Sequence, residues 1–187
     1  MLQAIEGTPR TKRFFVVIEC LTGVNPDETA AERDRTDFEE PIVRPFGYVS
    51  DEPIVRRIGD RELFLGNWFA AAPERHDHAF EHVLSVTSEK RPLTTHHRPL
   101  DDGPGNDWSA FAAAVDTARA LHRRDGSVLI HCKAGISRSS VLVATTLAAE
   151  EGRRLDEAFA IVHDARPHAV VHPALHESAV VYLAAER

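Results

Sequence analysis

Lysine is nearly missing from this chain: positions 12, 90 and 133 are the three places it occurs. Arginine carries most of the remaining positive charge, yet Asp and Glu outnumber Lys and Arg by 29 to 22, and the formal net charge is −7. Such a balance argues against general affinity for nucleic acid or for anionic membrane surfaces, so any basic site must be local. Cysteine is equally sparse. Cys20 and Cys132 cannot make a disulfide framework, and Cys20 reads as a buried apolar residue. No apolar run approaches the length of a membrane span. The apolar stretch 14–18 stops at Glu19, too short for the hydrophobic core of a secretory leader, and a soluble, cytoplasmic protein is expected. Repeats and low-complexity tracts are absent, which sets aside solenoids and arrays.

What is present concentrates between 127 and 151. Residues 127–130 are β-branched or apolar after an Asp125-Gly126 turn and predict a short buried strand. Residues 141–149 are almost all apolar or small and predict a helix buried on most sides. Between them stand His131, Cys132, Lys133, Ala134, Gly135, Ile136, Ser137, Arg138 and Ser139. Backbone N–H groups of a tight loop that converge at a helix N-terminus cradle a tetrahedral anion. A cysteine on the floor of that cradle feels the same donors, so its thiolate should exist at neutral pH. Arg138 can grip two phosphate oxygens with a planar fork, Gly135 permits a positive φ, and the Ser139 hydroxyl can donate to the sulfur. These are the parts of a thiolate that attacks a phosphate.

The stretch resembles the His-Cys-x5-Arg-Ser/Thr loop of the cysteine-dependent protein tyrosine phosphatases, in the Ala-Gly-Ile-Ser-Arg-Ser form common in their dual-specificity branch. The similarity extends from about 53 to 187. Leu63-Phe64-Leu65-Gly66-Asn67 looks like the branch's Leu-Tyr-Leu-Gly opening, and His82-Val83-Leu84-Ser85-Val86 like its His-Val-Leu-Asn-Val segment. The resemblance implies an α/β domain with a central, mostly parallel sheet flanked by helices. It implies hydrolysis of phosphate monoesters, on pTyr and on pSer or pThr, through a phosphocysteine. Cys132, Arg138, Asp102 and Ser139 would be catalytic. His131, Lys133, Ala134, Gly135, Ile136 and Ser137 would hold the substrate phosphate. No metal or other cofactor is implied, and the partner would be a phosphorylated protein or a small phosphomonoester.

Asp102 is chosen over Asp101 as general acid by spacing. The family's acid stands five positions before a second Asp that caps a helix, and Asp102 and Asp107 reproduce that interval. Two alternatives stay open. One is a phosphoinositide or phospholipid phosphatase, favoured by Lys133 and disfavoured by Ile136 at the second basic position; the other is an inactive phosphate-binding module.

Around this centre, residues 1–52 read as an N-terminal extension and 53–187 as the catalytic domain. Residues 14–18 suggest a strand, Asn25-Pro26-Asp27 a turn or helix start, and 28–40 a solvated helix or linker. Strands are expected at 54–58, 62–66, 82–87 and 94–100, and helices at 70–80, from 107, from 155 and from Pro173. His76, His78 and His82, like His168, His172 and His176, read as solvent-exposed histidines rather than metal ligands.

Overall fold

The computed structural model describes residues 14–17, 43–46 and 50–186, the first two stretches by backbone alone. The chain divides into two compact units, 1–48 and 49–187. In the first, strands β1 (Phe14–Val17) and β2 (Val43–Phe46) pair antiparallel, with Phe14 opposite Phe46. Cys20, the turn at 25–27 and the stretch 28–40 lie outside the described residues.

The second unit is built on a five-stranded sheet of order β3-β4-β7-β5-β6. β3 (Val55–Arg57) and β4 (Leu63–Gly66) form an antiparallel hairpin through the Gly59-Asp60 turn, where Gly59 takes a φ of 55°. β4, β7 (Val128–His131), β5 (His82–Ser85) and β6 (His96–His97) run parallel. Alternation with a period of two decides the faces. Leu63, Leu65, Leu84, Val128 and Ile130 join the main core with the helices, whereas Phe64, Val83 and Leu129 pack with Ala70, Ala71, Phe80 and Leu93.

Four helices follow: α1 (Trp108–His122), α2 (Arg138–Glu151), α3 (Leu155–Ala165) and α4 (Pro173–Ala185). α2 is the centre. Every residue from Ser139 to Ala148 is buried, and the helix ends on Gly152 in the left-handed region at φ 62°. α1 turns Phe111, Val115, Ala118 and Leu121 inward, and α4 turns Leu175, Ala179 and Tyr182.

Three expectations are corrected. The helix predicted at 70–80 is two short 3-10 turns, Trp68–Ala71 and Pro73–Arg75, followed by irregular chain. Pro73 forces Ala72 into extended backbone (φ −124°, ψ 117°) and has no N–H to continue an α-helical ladder. The strand expected at 94–100 shrinks to His96–His97 on the sheet edge. Asp107 stands at the N-cap position of α1 but makes no side-chain capping bond.

The hairpin is clamped to the end of α2 by a two-pronged ion pair. Arg61 donates from Nε and Nη2 to the two carboxylate oxygens of Glu151 at 2.5 and 2.7 Å. The Arg61 hydrogen bonds hold the Glu151 carboxyl down at about 2. A carboxylate whose pKa falls on folding contributes stability above its unfolded value and loses it as pH drops toward the folded one. Glu151→Gln should therefore lower stability at neutral pH and flatten its fall between about pH 4.5 and 2, as read by urea denaturation across that range.

Candidate active site

Strand β7 feeds its last residue, His131, into the loop 132–137, and α2 begins at Arg138. The conformation of this loop follows from where its carbonyls go. Trp68 N–H donates to Lys133 O at 3.2 Å, and Val170 N–H to Ile136 O at 3.0 Å. Arg166 Nε donates to Gly135 O at 3.1 Å. With those carbonyls tied outward, the N–H groups of the same peptide planes, those of Ala134, Ile136 and Ser137, are aimed to the inner side of the loop, and no N–H from Lys133 to Arg138 donates to a described backbone carbonyl.

Two glycines make this possible. Gly135 has φ 64°, and a Cβ there would lie 3.0 Å from the carbonyl carbon and oxygen of Gly66. A Cβ on Gly66 would in turn lie 2.7 Å from Ala70 Cβ and 2.9 Å from Ile54 O. Asn67, fully buried, fixes the strand end beneath them: its Oδ1 accepts from the N–H groups of Ile54 (2.9 Å) and Ala70 (3.2 Å), and its Nδ2 donates to Glu52 O (2.9 Å).

Cys132 lies on the floor, 2% exposed, its Sγ 3.2 Å from Ser139 Oγ. Burial works to raise its thiol pKa. The Arg138 guanidinium, the Ser139 hydroxyl and the N–H groups of Ser139 and Ile136 outweigh that penalty, and the thiol is held below its ordinary range. Arg138 donates from Nη1 to Leu100 O at 3.1 Å, while its Nε is buried without an acceptor. A buried donor left unused beside a ring of inward amides is what an oxyanion would satisfy.

His131 sits behind the loop. Its Nδ1–H donates to Cys132 O at 3.4 Å, and its Nε2 accepts from the Ser85 hydroxyl, which itself contacts Thr94 Oγ1 at 2.5 Å. Burial pushes the ring down to about 4, with the charges of Arg91, Arg138 and His97 acting the same way. The imidazole is thus neutral at pH 7 and serves as a strut.

Of the expected site residues, the structure brings Cys132, Arg138, Ser139, His131, Gly135, Ile136 and Ser137 into one loop and helix start. Ala134 is half-buried and Lys133 points its side chain to solvent. Asp102 is exposed on the loop after β6, and Ser137 Oγ donates to its Oδ1 at 2.5 Å while accepting from His172 N–H at 3.1 Å. Asn106 braces that loop through Asp101 N–H (2.8 Å) and Gly103 O (3.1 Å). Ser85, Thr94 and Asn67 are the supporting residues that sequence reasoning missed; a polar Ser85 inside an apolar strand was the available signal. Of the histidines expected at the surface, His78, His168 and His176 are exposed, whereas His76, His82 and His172 are half-buried, His76 Nε2 bonding Ala70 O and His172 Nδ1 capping α4. A cleft of about 640 Å³ opens between the ends of α2, α3 and α4, beside Gly152, Leu155 and Val180, and no residue of the loop 132–137 borders it.

A buried thiol, an arginine and the amides of one loop thus stand together at the carboxyl edge of a mixed α/β sheet. Residues 63–182 match the family model of the dual specificity phosphatase catalytic domain, and the chain belongs to that family. Human dual specificity protein phosphatase 5 is 29% identical over 164 residues, which cover 79% of this chain and 42% of that protein. Mouse dual specificity protein phosphatase 19 is 30% identical over 152 residues, covering 73% of this chain and 66% of that protein. The crystal structure of a variant of human DUSP28 aligns with a TM-score of 0.63 at 28% identity, over 71% of this chain and 96% of the other. The chain spans less than half the length of the human phosphatase 5 that it matches.

The geometry predicts the titration of the thiol. Alkylation rate against pH should place Cys132 below an ordinary cysteine, and Ser139→Ala should move that midpoint upward by removing one donor to the sulfur. An unmoved midpoint would show that the hydroxyl leaves the thiolate unaided.

Proposed function

We propose that residues 53–187 form a cysteine-dependent phosphatase unit that hydrolyses phosphate monoesters on proteins, at phosphotyrosine and at phosphoserine or phosphothreonine. The observation that carries this reading is the buried Cys132, its pKa held down by Arg138, Ser139 and loop amides although burial alone would raise it. Such a sulfur is an anion in a bowl suited to another anion's oxygens, an arrangement useful for attack and costly for stability. The protein-phosphatase names of the relatives favour a protein substrate over a phospholipid.

In the first step a sulfur lone pair of Cys132 forms an S–P bond while the P–O bond to the leaving group breaks. The loop amides and Arg138 hold the three equatorial oxygens, and the Asp102 carboxyl gives its proton to the departing oxygen. In the second step water attacks phosphorus and its proton passes to the Asp102 carboxylate. The S–P bond breaks, releasing inorganic phosphate and restoring the thiolate, with Ser139 donating to the sulfur as it leaves. The hydrogen bond from Ser137 to Asp102 supports this assignment, because it joins the acid loop to the phosphate loop. His131 positions the loop, and no step needs a metal or another cofactor. No described helix is long and apolar enough to cross a membrane, and a nucleophilic thiolate survives in a reducing compartment, which supports a cytoplasmic location.

Cys132→Ser should abolish turnover of phosphopeptides and of an aryl phosphate while keeping phosphopeptide binding, measured by anisotropy; undiminished turnover would end the proposal. Asp102→Asn should slow phenyl phosphate by about 100- to 10,000-fold and a nitrophenyl ester far less, because a good leaving group departs without protonation. Equal losses on both esters would remove Asp102 from the acid role.

A further inference from the structure

Residues 91–94 close on themselves by two reciprocal bonds. Thr94 N–H donates to Arg91 O at 2.9 Å, and Arg91 N–H donates to the Thr94 hydroxyl oxygen at 2.8 Å. The Arg91 guanidinium lies over the Trp68 indole, 4.3 Å from the ring centre, and so holds this turn against the segment that follows β4. Thr94 Oγ1 therefore meets Ser85 Oγ, 2.5 Å away, as an oxygen already accepting a backbone proton. Ser85 is fully buried and stands beside His131 in the parallel pairing of β5 with β7, on the same face of the sheet.

The protons along this row have one order that leaves every group partnered. A backbone amide can only donate, so Thr94 accepts from Arg91 and has its own proton free for Ser85. Ser85 accepts that proton and donates its own to His131 Nε2. The neutral ring must then carry its hydrogen on Nδ1, where Cys132 O accepts it. The reverse order would set the Nδ1 lone pair against the Cys132 carbonyl and leave the Thr94 proton without a described acceptor. A second proton on the ring is opposed by burial and by the charges of Arg91, Arg138 and His97.

The far end of the row acts on the phosphate loop. Cys132 O and Lys133 N–H lie on opposite sides of one peptide plane. A carbonyl held back by the imidazole aims that amide into the bowl, as the ties from Trp68, Arg166 and Val170 do for the amides after it. We propose that Thr94 is a positioning residue of the phosphate site: through Ser85 it holds His131 in one tautomer, and the ring thereby aims the Lys133 amide at a phosphate oxygen. Thr94 makes no hydrogen bond to the loop 132–137 and acts only through the ring. The inference rests on the phosphatase reading above and adds to it the residue that sets the first amide of the cradle.

Nitrogen NMR of the full chain with isotope-labelled histidine tests it. In wild type at pH 7, His131 should show a protonated Nδ1 and a bare Nε2, its signals assigned by their absence from His131→Gln. A protonated Nε2 overturns the proposal with no variant of Thr94 required. Thr94→Val keeps the side-chain shape and removes the hydroxyl. It should spread the ring over both tautomers and raise the Ki of inorganic phosphate, as an inhibitor of aryl phosphate hydrolysis, by about three- to tenfold, the size of one net hydrogen bond. Thr94→Ser should restore both. An unmoved ring, an unmoved Ki, or a loss that Thr94→Ser fails to repair overturns the proposal. Wild type that hydrolyses no aryl phosphate refutes the phosphatase reading instead. Calorimetric binding of inorganic phosphate to the same chains then replaces Ki, and a Kd indifferent to Thr94→Val refutes the positioning role.

Discussion

The site depends on the direction in which a handful of carbonyls point. A peptide plane carries its donor and its acceptor on opposite sides, so fixing one aims the other. Trp68, just past β4, and Arg166 and Val170, between α3 and α4, each capture one carbonyl of the loop 132–137 from outside. The inward amides are a by-product of those outer bonds. This explains why residues without evident chemistry, such as Val170 on the approach to α4, are part of the site's construction.

The same loop sets two ionisable groups in opposite directions. Cys132 and His131 are neighbours in sequence and both are buried, yet burial is overruled at the sulfur and prevails at the imidazole. The difference is one of partners. The thiolate receives a guanidinium, a hydroxyl and backbone N–H groups, all of which favour negative charge. The ring is surrounded by cations and is asked only to donate to a carbonyl and accept from a hydroxyl, which its neutral form does. The same burial thus leaves one side chain favoured as an anion and the other held neutral.

Much of this was legible in the sequence, for identifiable reasons. The strand, loop and helix from 127 to 151 could be read because apolar runs flank a stretch whose residue types each have one good use. The observed strand, Val128–His131, is displaced from the expected one by a single residue. The helices from 155 and from Pro173 followed from apolar spacing and from proline at a first turn. The segment 70–80 misled because alanine favours a helix, while Pro73 near its start decided otherwise. Asp107 was read as a cap on spacing, but a side chain's hydrogen bond is not a property of spacing. The hydroxyl chain through Thr94 and Ser85 was invisible because it joins positions brought together by parallel strand pairing.

The backbone contact between Gly66 and Gly135 has a consequence for anyone wishing to transplant this chemistry. The nine residues from His131 to Ser139 look like a self-sufficient cassette, yet Gly135 is seated against the backbone of a strand end 65 residues earlier, too close for a side chain at 135. Grafted onto a host sheet whose neighbouring strand stops short of that point, the cassette would lose the surface on which it rests. The portable unit is a pair of adjoining strand ends, the glycine of one against the main chain of the other, with the loop as its visible half.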